Sequence, residues 1–170
     1  MREPASRDLR SSDRRAFLTS MSMAAAAAAL AACGAPAQAR PFPLTLTPAQ
    51  WRARLTPVQF NILREHGTEA PWTSPLLNEH RRGNFLCAGC AIPLFASSTK
   101  YDSGTGWPSF WAPLRGATGS APDWSGGELR REVHCANCGG HLGHVFPDGP
   151  RPTGKRYCMN GAALRFAPAA

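Results

Sequence analysis

The chain has 170 residues, 43% of them hydrophobic, and a formal net charge of +8 at pH 7. This length suits one domain with a core of its own. The basic residues are scattered, with no run longer than two residues, as in the pairs Arg81-Arg82 and Arg130-Arg131. A nucleic-acid-binding surface needs a clustered basic patch interleaved with aromatic residues, so composition and charge argue against nucleic acid as a partner.

The first 39 residues differ in kind from the rest. Arg14 and Arg15 form a twin-arginine pattern, and an apolar, Ala-rich run follows from Met21 to Ala32. That run is too short to span a membrane as a stable helix, and Ala37-Gln38-Ala39 offers a cleavage site. The sequence predicts a Tat-type signal peptide over 1–39 and a bacterial periplasmic or cell-envelope location.

The segment Leu30-Ala31-Ala32-Cys33-Gly34 also fits a lipobox, which would leave Cys33 acylated at a new N-terminus. Plain cleavage and lipid anchoring both stay open at this point. A lipid anchor would be the one membrane attachment expected, and in either case Cys33 is not a free thiol of the exported protein.

Two helix starts follow a Pro-rich segment, 40–46, that we interpret as a tether. Thr47-Pro48-Ala49-Gln50 and Thr56-Pro57-Val58-Gln59 each combine Thr as N-cap, Pro at the first helical position and Gln three residues after the cap. In the second helix the apolar residues Val58, Ile62 and Leu63 recur at helical spacing, and Gly67 is the predicted stop.

Short runs bounded by Gly, Pro, Asn and Asp follow Gly67. Several short strands separated by turn residues predict a mainly β, antiparallel domain over 47–166, with 167–170 as a frayed tail. The predicted strands are Asn84–Cys87, Leu94–Ala96, Trp107–Trp111, Glu128–Cys135, Leu142–Phe146, Arg156–Met159 and Ala163–Phe166.

Four of the six cysteines form two CxxC pairs, Cys87 with Cys90 and Cys135 with Cys138. A double CxxC is typical of a tetrahedral four-thiolate zinc site, although the two pairs usually lie about 15–20 residues apart. The longer separation here is tolerable because loop-closure entropy grows only logarithmically with loop length. One structural Zn²⁺ is the favoured reading, against two disulfides or a redox-active CxxC.

Cys158 is then the only thiol left without a partner. On a strand Arg156, Cys158 and Asn160 share one face, and a neighbouring cation favours the thiolate, which is the nucleophilic form. The competing interpretation is a structural cysteine on a core strand. The commitment of the other cysteines favours a reactive thiol.

His141, His144 and Asp148 form a second group of chemically capable residues, between a CxxC and the lone cysteine. Histidine can donate or accept a proton near neutral pH, and on a strand His144, Phe146 and Asp148 share a face. A histidine can equally satisfy a buried backbone group. Trp107 follows a Gly-rich loop that lacks the Lys of a phosphate loop; its indole could form a pocket wall or pack in the core.

Taken together, these segments resemble the methionine-R-sulfoxide reductase family, the MsrB type, in its zinc-containing form. The resemblance runs from about Leu46 to Phe166. The segments that carry it are Leu55–Phe60, Gly67–Glu69, Cys87–Cys90, Ser103–Phe110, His141–Pro150 and Arg156–Asn160.

The resemblance implies two antiparallel sheets in a barrel- or sandwich-like fold with short N-terminal helices, and a zinc remote from the chemistry. It implies that Cys158 is the nucleophile, that Trp107 holds the substrate ε-methyl beside Phe146, and that Arg156 activates Cys158. His141, His144 and Asp148 would line the polar side of the pocket, with Asn160 in support.

The implied reaction is the reduction of the R epimer of protein-bound methionine sulfoxide through a Cys158 sulfenic acid, as in repair after oxidative stress. The implied partners are oxidised proteins and a thioredoxin-like reductant, and a monomer is expected. Many relatives carry a recycling Cys where this chain has Thr105, so direct reduction by an external thiol is expected. The segment Leu114–Leu129 is short and fits the family pattern poorly.

Two other readings compete with the enzyme. One is a zinc-ribbon-like interaction domain of the cell envelope that uses exposed Trp72, Trp107, Trp111 and Trp124. The other is a disulfide-stapled envelope domain without metal.

Overall fold

The computed structural model of the protein describes residues 42–170. The predicted signal peptide, with its twin-arginine pattern, lipobox and cleavage site, lies outside the described residues. Among residues 42–170, no helix is both long and apolar enough to cross a membrane.

Two short helices, α1 (Pro48–Arg54) and α2 (Pro57–Glu65), open the described chain, and both predicted capping boxes are confirmed. Thr47 and Thr56 accept hydrogen bonds from the backbone of Gln50 and Gln59, whose side chains bond back to the cap N–H groups. Each reciprocal pair satisfies two backbone donors that a helix start leaves free.

The end of α2 differs from the prediction. His66, rather than Gly67, adopts the left-handed cap conformation, with φ of 56°. A Cβ at Gly67 would meet the end of the exposed Asn61 side chain, which would have to move aside. Val58, which the periodicity placed on the apolar face, is 57% exposed, while Phe60, Ile62 and Leu63 are buried.

The rest of the domain is mainly β, as predicted. The strands are β1 (Gly83–Cys87), β2 (Pro93–Ala96), β3 (Lys100–Tyr101), β4 (Ser109–Phe110), β5 (Thr118–Asp123), β6 (Arg130–Cys135), β7 (His141–Phe146), β8 (Arg156–Met159) and β9 (Leu164–Pro168). Three 3₁₀ turns complete the described elements, at Pro75–Asn78, Ser97–Thr99 and Gly161–Ala163.

These strands form two antiparallel sheets, one of three strands in the order β2-β1-β9 and one of six in the order β3-β4-β8-β7-β6-β5. Aromatic side chains from both sheets meet in the core. The Phe95 ring stacks on the Phe110 ring with centroids 4.4 Å apart, and the Phe85 ring contacts Phe110 edge-on at 4.9 Å. Such pairs bury large apolar areas and add about 0.5–1.5 kcal/mol each beyond burial.

Two strands escaped prediction. β3 is only two residues long, and β5 contains Gly119 and Pro122, which argue against a strand in sequence. Proline is tolerated in an edge strand because one side of that strand makes no ladder bonds. β5 is such an edge, since it pairs only with β6.

Both ends of the predicted domain extend further than the sequence indicated. β9 runs to Pro168, which pairs with Gly83 of β1, so the strand enters the predicted tail. Within the predicted tether, the Leu44 N–H donates to the Asn137 carbonyl at 2.9 Å, and Leu44 and Leu46 pack against the core.

Candidate active site and metal centre

The candidate active site lies in the middle of the six-stranded sheet, where β8 runs between β4 and β7. Cys158 on β8 pairs with Ser109 on one side and with His144 on the other. Its half-buried thiol opens into a pocket of about 120 Å³, lined by Thr68, Trp107, Arg130, Gly143, His144, Phe146, Cys158 and Asn160. A larger hollow of about 630 Å³ adjoins it but contains neither thiol nor imidazole, so the chemistry favours the smaller pocket.

Gly143 allows the strand carrying His144 to approach the strand carrying Cys158. Its φ is 152°, and a Cβ there would collide with the Cys158 carbonyl oxygen. A side chain at this position would push the imidazole away from the thiol.

Glu69 organises one wall of the pocket. Its carbonyl accepts a hydrogen bond from the Trp107 indole Nε1 at 3.1 Å, and its N–H donates to the Asn160 side chain at 3.0 Å. Its carboxylate accepts hydrogen bonds from the backbone N–H groups of Gly161 and Ala162. One residue therefore fixes both Trp107 and Asn160 beside Cys158.

His144 lines the pocket and is held from behind by a carboxylate. Its Nε2 lies 2.6 Å from Asp123 Oδ2, and only 11% of its side chain is exposed. Burial lowers the pKa of His144, while the hydrogen bond to Asp123 opposes that shift.

His141 lies behind His144, with ring centroids 5.3 Å apart, and is not part of the pocket lining. Its Nδ1 donates to Glu132 Oε1 at 2.8 Å, and Nε2 is buried with no partner among residues 42–170. The register shift between β6 and β7 puts His141 and His144 on the same side of the sheet although they are three residues apart.

Arg156 forms a two-bond ion pair with Asp148. Its Nε and Nη2 donate to the two carboxylate oxygens at 2.9 and 2.8 Å, and its guanidinium carbon lies 4.4 Å from the centre of the Phe146 ring. Asp148 is the main cause that raises the pKa of Arg156, and Cys158 adds a smaller contribution. Asp148 is exposed and outside the pocket lining, so its contact is with Arg156.

Thr105 also lies beside the Cys158 thiol. Its hydroxyl lies 3.6 Å from Cys158 Sγ and 2.8 Å from the Ser103 hydroxyl, which in turn lies 2.7 Å from the Ser109 hydroxyl. A chain of three hydroxyl groups thus ends at the sulfur, where it can supply a weak hydrogen bond to a thiolate.

The four remaining described cysteines form the second centre. The Sγ atoms of Cys87, Cys90, Cys135 and Cys138 lie within 4.8 Å of one another. The Cys87–Cys138 and Cys90–Cys135 pairs are separated by 3.8 and 3.5 Å, far beyond the ~2.05 Å of a disulfide. A tetrahedron with Zn–S bonds of about 2.3 Å has edges of about 3.8 Å, so the spacing fits zinc.

The electrostatics of this cluster also call for a cation. Hydrogen bonding with Cys135 is the main cause that raises the pKa of Cys87 and of Cys138, and the main cause that lowers the pKa of Cys90. Four adjacent thiolates cannot all be charged unless a positive ion neutralises them.

Comparison with known proteins agrees with this arrangement. The SelR domain family matches residues 55–168. The chain is 56% identical over 121 residues to a peptide methionine sulfoxide reductase MsrB from Agrobacterium fabrum, which covers 71% of this chain and 90% of that relative.

The chain belongs to the SelR, or MsrB, family.

Relatives from distant bacteria support the same assignment. A peptide methionine sulfoxide reductase MsrB from Thiobacillus denitrificans is 54% identical over 123 residues, covering 72% of this chain and 93% of the relative. Another from Leptospira interrogans is 52% identical over 117 residues, covering 68% and 89%. The MsrB match thus extends over nearly all of the described domain.

Within this MsrB domain the structure gathers five of the predicted site residues in one pocket: Cys158, His144, Trp107, Phe146 and Asn160. It places His141, Asp148 and Arg156 around that pocket rather than in its lining. The predicted four-cysteine cluster is confirmed.

Sequence reasoning gave no role to Asp123, Arg130, Glu132 or the side chain of Glu69. Asp123 and Glu69 act on partners 21 and 92 residues away, His144 and Gly161. Arg130 and Glu132 act within the hairpins of β5, β6 and β7, and their contacts depend on strand register rather than on a motif. The hypothesis of an interaction domain relied on four exposed tryptophans. Trp72 and Trp124 are exposed, whereas Trp107 and Trp111 are half-buried.

Proposed function

We propose that this MsrB protein reduces the R epimer of methionine sulfoxide in oxidised proteins back to methionine, with Cys158 as the nucleophile. The observation that carries the proposal is a half-buried thiol paired across the sheet with His144 in a small pocket walled by Trp107. Thiol, imidazole and apolar wall are the three groups this reduction needs.

In the chemical step the Cys158 thiolate attacks the sulfoxide sulfur. The sulfoxide oxygen takes up a proton from His144, and a sulfur–sulfur bond joins Cys158 to the substrate. As a new bond forms between the oxygen and the Cys158 sulfur, the sulfur–sulfur bond and the sulfur–oxygen bond to methionine both break, which releases methionine and leaves Cys158 as a sulfenic acid. The methionine sulfur gains two electrons and the cysteine sulfur loses two. Sulfenic acid is the reversible first rung of cysteine oxidation.

Substrate orientation follows from the fixed walls of the pocket. Because Glu69 holds the Trp107 indole, the ring can receive the ε-methyl group of the substrate on an apolar face without moving. Asn160 is buried and held by Glu69 and by the Leu142 carbonyl. Arg156 offers positive charge on the same strand as Cys158, although Asp148 balances part of it.

The bound zinc would hold the CxxC turns together and would supply no chemistry to the reduction. Its ligands are Cys87, Cys90, Cys135 and Cys138, and none of them lines the pocket of Cys158. The structural role agrees with four protein ligands filling a tetrahedral site, which leaves no position for substrate.

Recycling of the sulfenic acid is proposed to use an external, thioredoxin-like thiol. Thr105 stands 3.6 Å from Cys158 Sγ, where an internal recycling thiol would have to lie. After one turnover without reductant, we expect a dimedone-trappable sulfenic acid on the wild-type protein. Thr105→Cys should give a disulfide to Cys158 instead, mapped by peptide mass spectrometry. A disulfide to Cys158 in the wild type would contradict the proposal.

The deciding experiment for the function is turnover of separated R and S epimers of an oxidised methionine peptide by purified zinc-loaded protein with dithiothreitol. We expect turnover of the R epimer and little of the S epimer. Equal turnover of both epimers would contradict the stereochemical part, and turnover of neither would contradict the activity.

We also propose export to the bacterial periplasm through the twin-arginine route. The support is the Arg14-Arg15 pair, the apolar run that follows and the Ala37-Gln38-Ala39 motif. In fractionated cells, Arg14→Lys with Arg15→Lys should leave the protein in the cytoplasm. Mass analysis of the exported N-terminus would separate plain cleavage from acylation of Cys33.

A further inference from the structure

We propose that Asp123 is the positioning residue for His144, orienting the imidazole that protonates the sulfoxide oxygen. This inference rests on the proposed function. It assigns a role to the end of β5 and to the turn that follows it.

The sheet brings the two residues together across an intervening strand. Asp123 ends β5 and pairs with Arg130 at the start of β6, while Glu132 of β6 pairs with His144 of β7. The carboxylate therefore reaches His144 from two strands away. Its side chain is 18% exposed, and that of His144 is 11% exposed, so little water competes for the contact.

Three donors fix the Asp123 carboxylate. Oδ2 accepts from His144 Nε2 at 2.6 Å and from Arg130 Nη2 at 3.0 Å. Oδ1 accepts from the Ser125 backbone N–H at 2.8 Å. A carboxylate held on both oxygens cannot rotate away, so the imidazole that binds it is held too.

The carboxylate is ionised and therefore accepts rather than donates. The hydrogen bond from the Ser125 backbone, followed by that from His144, holds the pKa of Asp123 well below its usual range. Nε2 of His144 must then carry a hydrogen. The neutral ring has its lone pair on Nδ1, and the protonated ring has Nδ1–H available to a ligand.

The other groups around His144 act against its protonation or are engaged elsewhere. Burial lowers the pKa of His144, and the charges of Arg130 and His141 add to that lowering, whereas Asp123 raises it. Glu132, opposite on β6, is bonded to His141, and Cys158 lies opposite on β8. Among the groups around His144, Asp123 is thus the one that favours the proton-donating form.

A purely structural role for Asp123, as the partner of Arg130, predicts different results. It would leave the tautomer and the titration of His144 unchanged. The test therefore needs a measurement made on the imidazole itself, besides activity.

The experiment compares Asp123→Asn with Glu128→Gln in full-length zinc-loaded protein. Glu128 is exposed in the same hairpin, so its substitution removes the same charge without touching His144. Nitrogen-15 NMR of the His144 ring reports tautomer and pKa, and kcat/KM is measured against pH on the oxidised peptide. In Asp123→Asn we expect the His144 pKa to fall and kcat/KM to drop about 10–100-fold.

The direction of the pH effect follows from the loss of the carboxylate. Without the Asp123 carboxylate the protonated His144 ring is less stable. The fall of kcat/KM with rising pH should therefore begin at a lower pH than in the wild type. Asp123→Glu should recover part of the activity, and Glu128→Gln should match the wild type in both measurements.

Two results would overturn the inference. One is a neutral wild-type His144 protonated on Nδ1, which needs no variant and so stands even if Asp123→Asn fails to fold. The other is an Asp123→Asn protein whose His144 signals titrate as in Glu128→Gln. Absence of sulfoxide turnover in the wild type would contradict the proposed function and leave the NMR result interpretable.

Discussion

The two cysteine centres of this domain differ in how the chain builds them. The zinc cluster comes from two short turns, each of which brings two sulfurs together locally, and three of its four cysteines are buried. The Cys158 pocket draws its lining from Thr68 to Asn160, and its sulfur stays half-buried. A thiol becomes a metal ligand where other thiols surround it, and a nucleophile where imidazole, indole and hydroxyl groups surround it.

This contrast predicts that one substitution can lower stability and another can abolish catalysis, each without the other effect. The cluster joins the turn of Cys87 and Cys90 to the turn of Cys135 and Cys138, which lie far apart in the sequence, so its loss should destabilise the fold strongly. The pocket adds a reactive group to a sheet whose core lies elsewhere, around Phe85, Phe95 and Phe110.

The largest effect is expected for Cys87→Ser. The side chain is fully buried, and a serine there leaves three thiolates that hold zinc poorly. Because zinc binding contributes directly to folding free energy in such sites, we expect loss of the metal and a fall in melting temperature of more than ~10 °C. Metal analysis and calorimetry measure both. A zinc-loaded variant with a wild-type melting temperature would mean that the cluster does not support the fold.

Cys158→Ser should remove the activity but leave the zinc site and the stability almost unchanged. Removal of the nucleophile should lower kcat/KM by at least about 10³-fold, while a half-buried, isosteric change should move the melting temperature by no more than ~2 °C. Zinc content should stay at one per chain. Unaltered turnover would remove Cys158 from the mechanism, and loss of zinc would show that the two centres are not separable.

The same contrast explains what sequence could predict. The CxxC pairs and the capping boxes of Thr47 and Thr56 are short sequence motifs, so residue spacing alone was enough to predict them. Cys158 followed from the commitment of the other cysteines, and its grouping with His144 and Trp107 in one pocket followed from the family resemblance. Asp123 and Glu69 act across long stretches of chain, through the register of β5, β6 and β7 or through the turn at Gly161, and no local pattern encodes either contact.

β5 and His66 show where local rules gave the wrong structure. Pro122 reads as a strand breaker, but an edge strand needs no N–H on its outer side. Local rules favour Gly67 as the left-handed helix stop, but His66 takes that conformation instead. In both cases the local rule meets a tertiary setting: β5 lies at the edge of the sheet, and His66 contacts Glu132 and His141.

Glu69→Ala should affect both catalysis and stability, unlike the substitutions of Cys87 and Cys158. The substitution deletes two hydrogen bonds to Gly161 and Ala162, worth about 1–3 kcal/mol for a charged acceptor. With the turn loosened, Trp107 and Asn160 lose their fixed positions, so KM should rise more than kcat falls. Steady-state kinetics and urea unfolding test this. Thr68→Ala, one residue away and exposed, is the control for stability.

The smallest effect concerns Glu132, which lies behind the pocket. The hydrogen bond from His141 is the main cause that lowers the pKa of Glu132 below 4.5, against an opposing effect of burial. A carboxylate whose pKa is lower in the folded state stabilises the fold fully above its unfolded pKa, and that contribution is lost as pH falls through 4.5 towards the folded value.

Glu132→Gln should therefore be less stable than the wild type at pH 7, by about 1 kcal/mol for a weakened hydrogen bond, and the difference should shrink as pH falls below 4.5. Urea unfolding at several pH values gives the two curves. Zinc release at acid pH affects both proteins, so only their difference is informative, and Glu128→Gln should show no such convergence. A difference that stayed constant from pH 7 to acid pH would mean that the ionised carboxylate contributes nothing to His141, and that the residues behind the pocket stabilise it by packing alone.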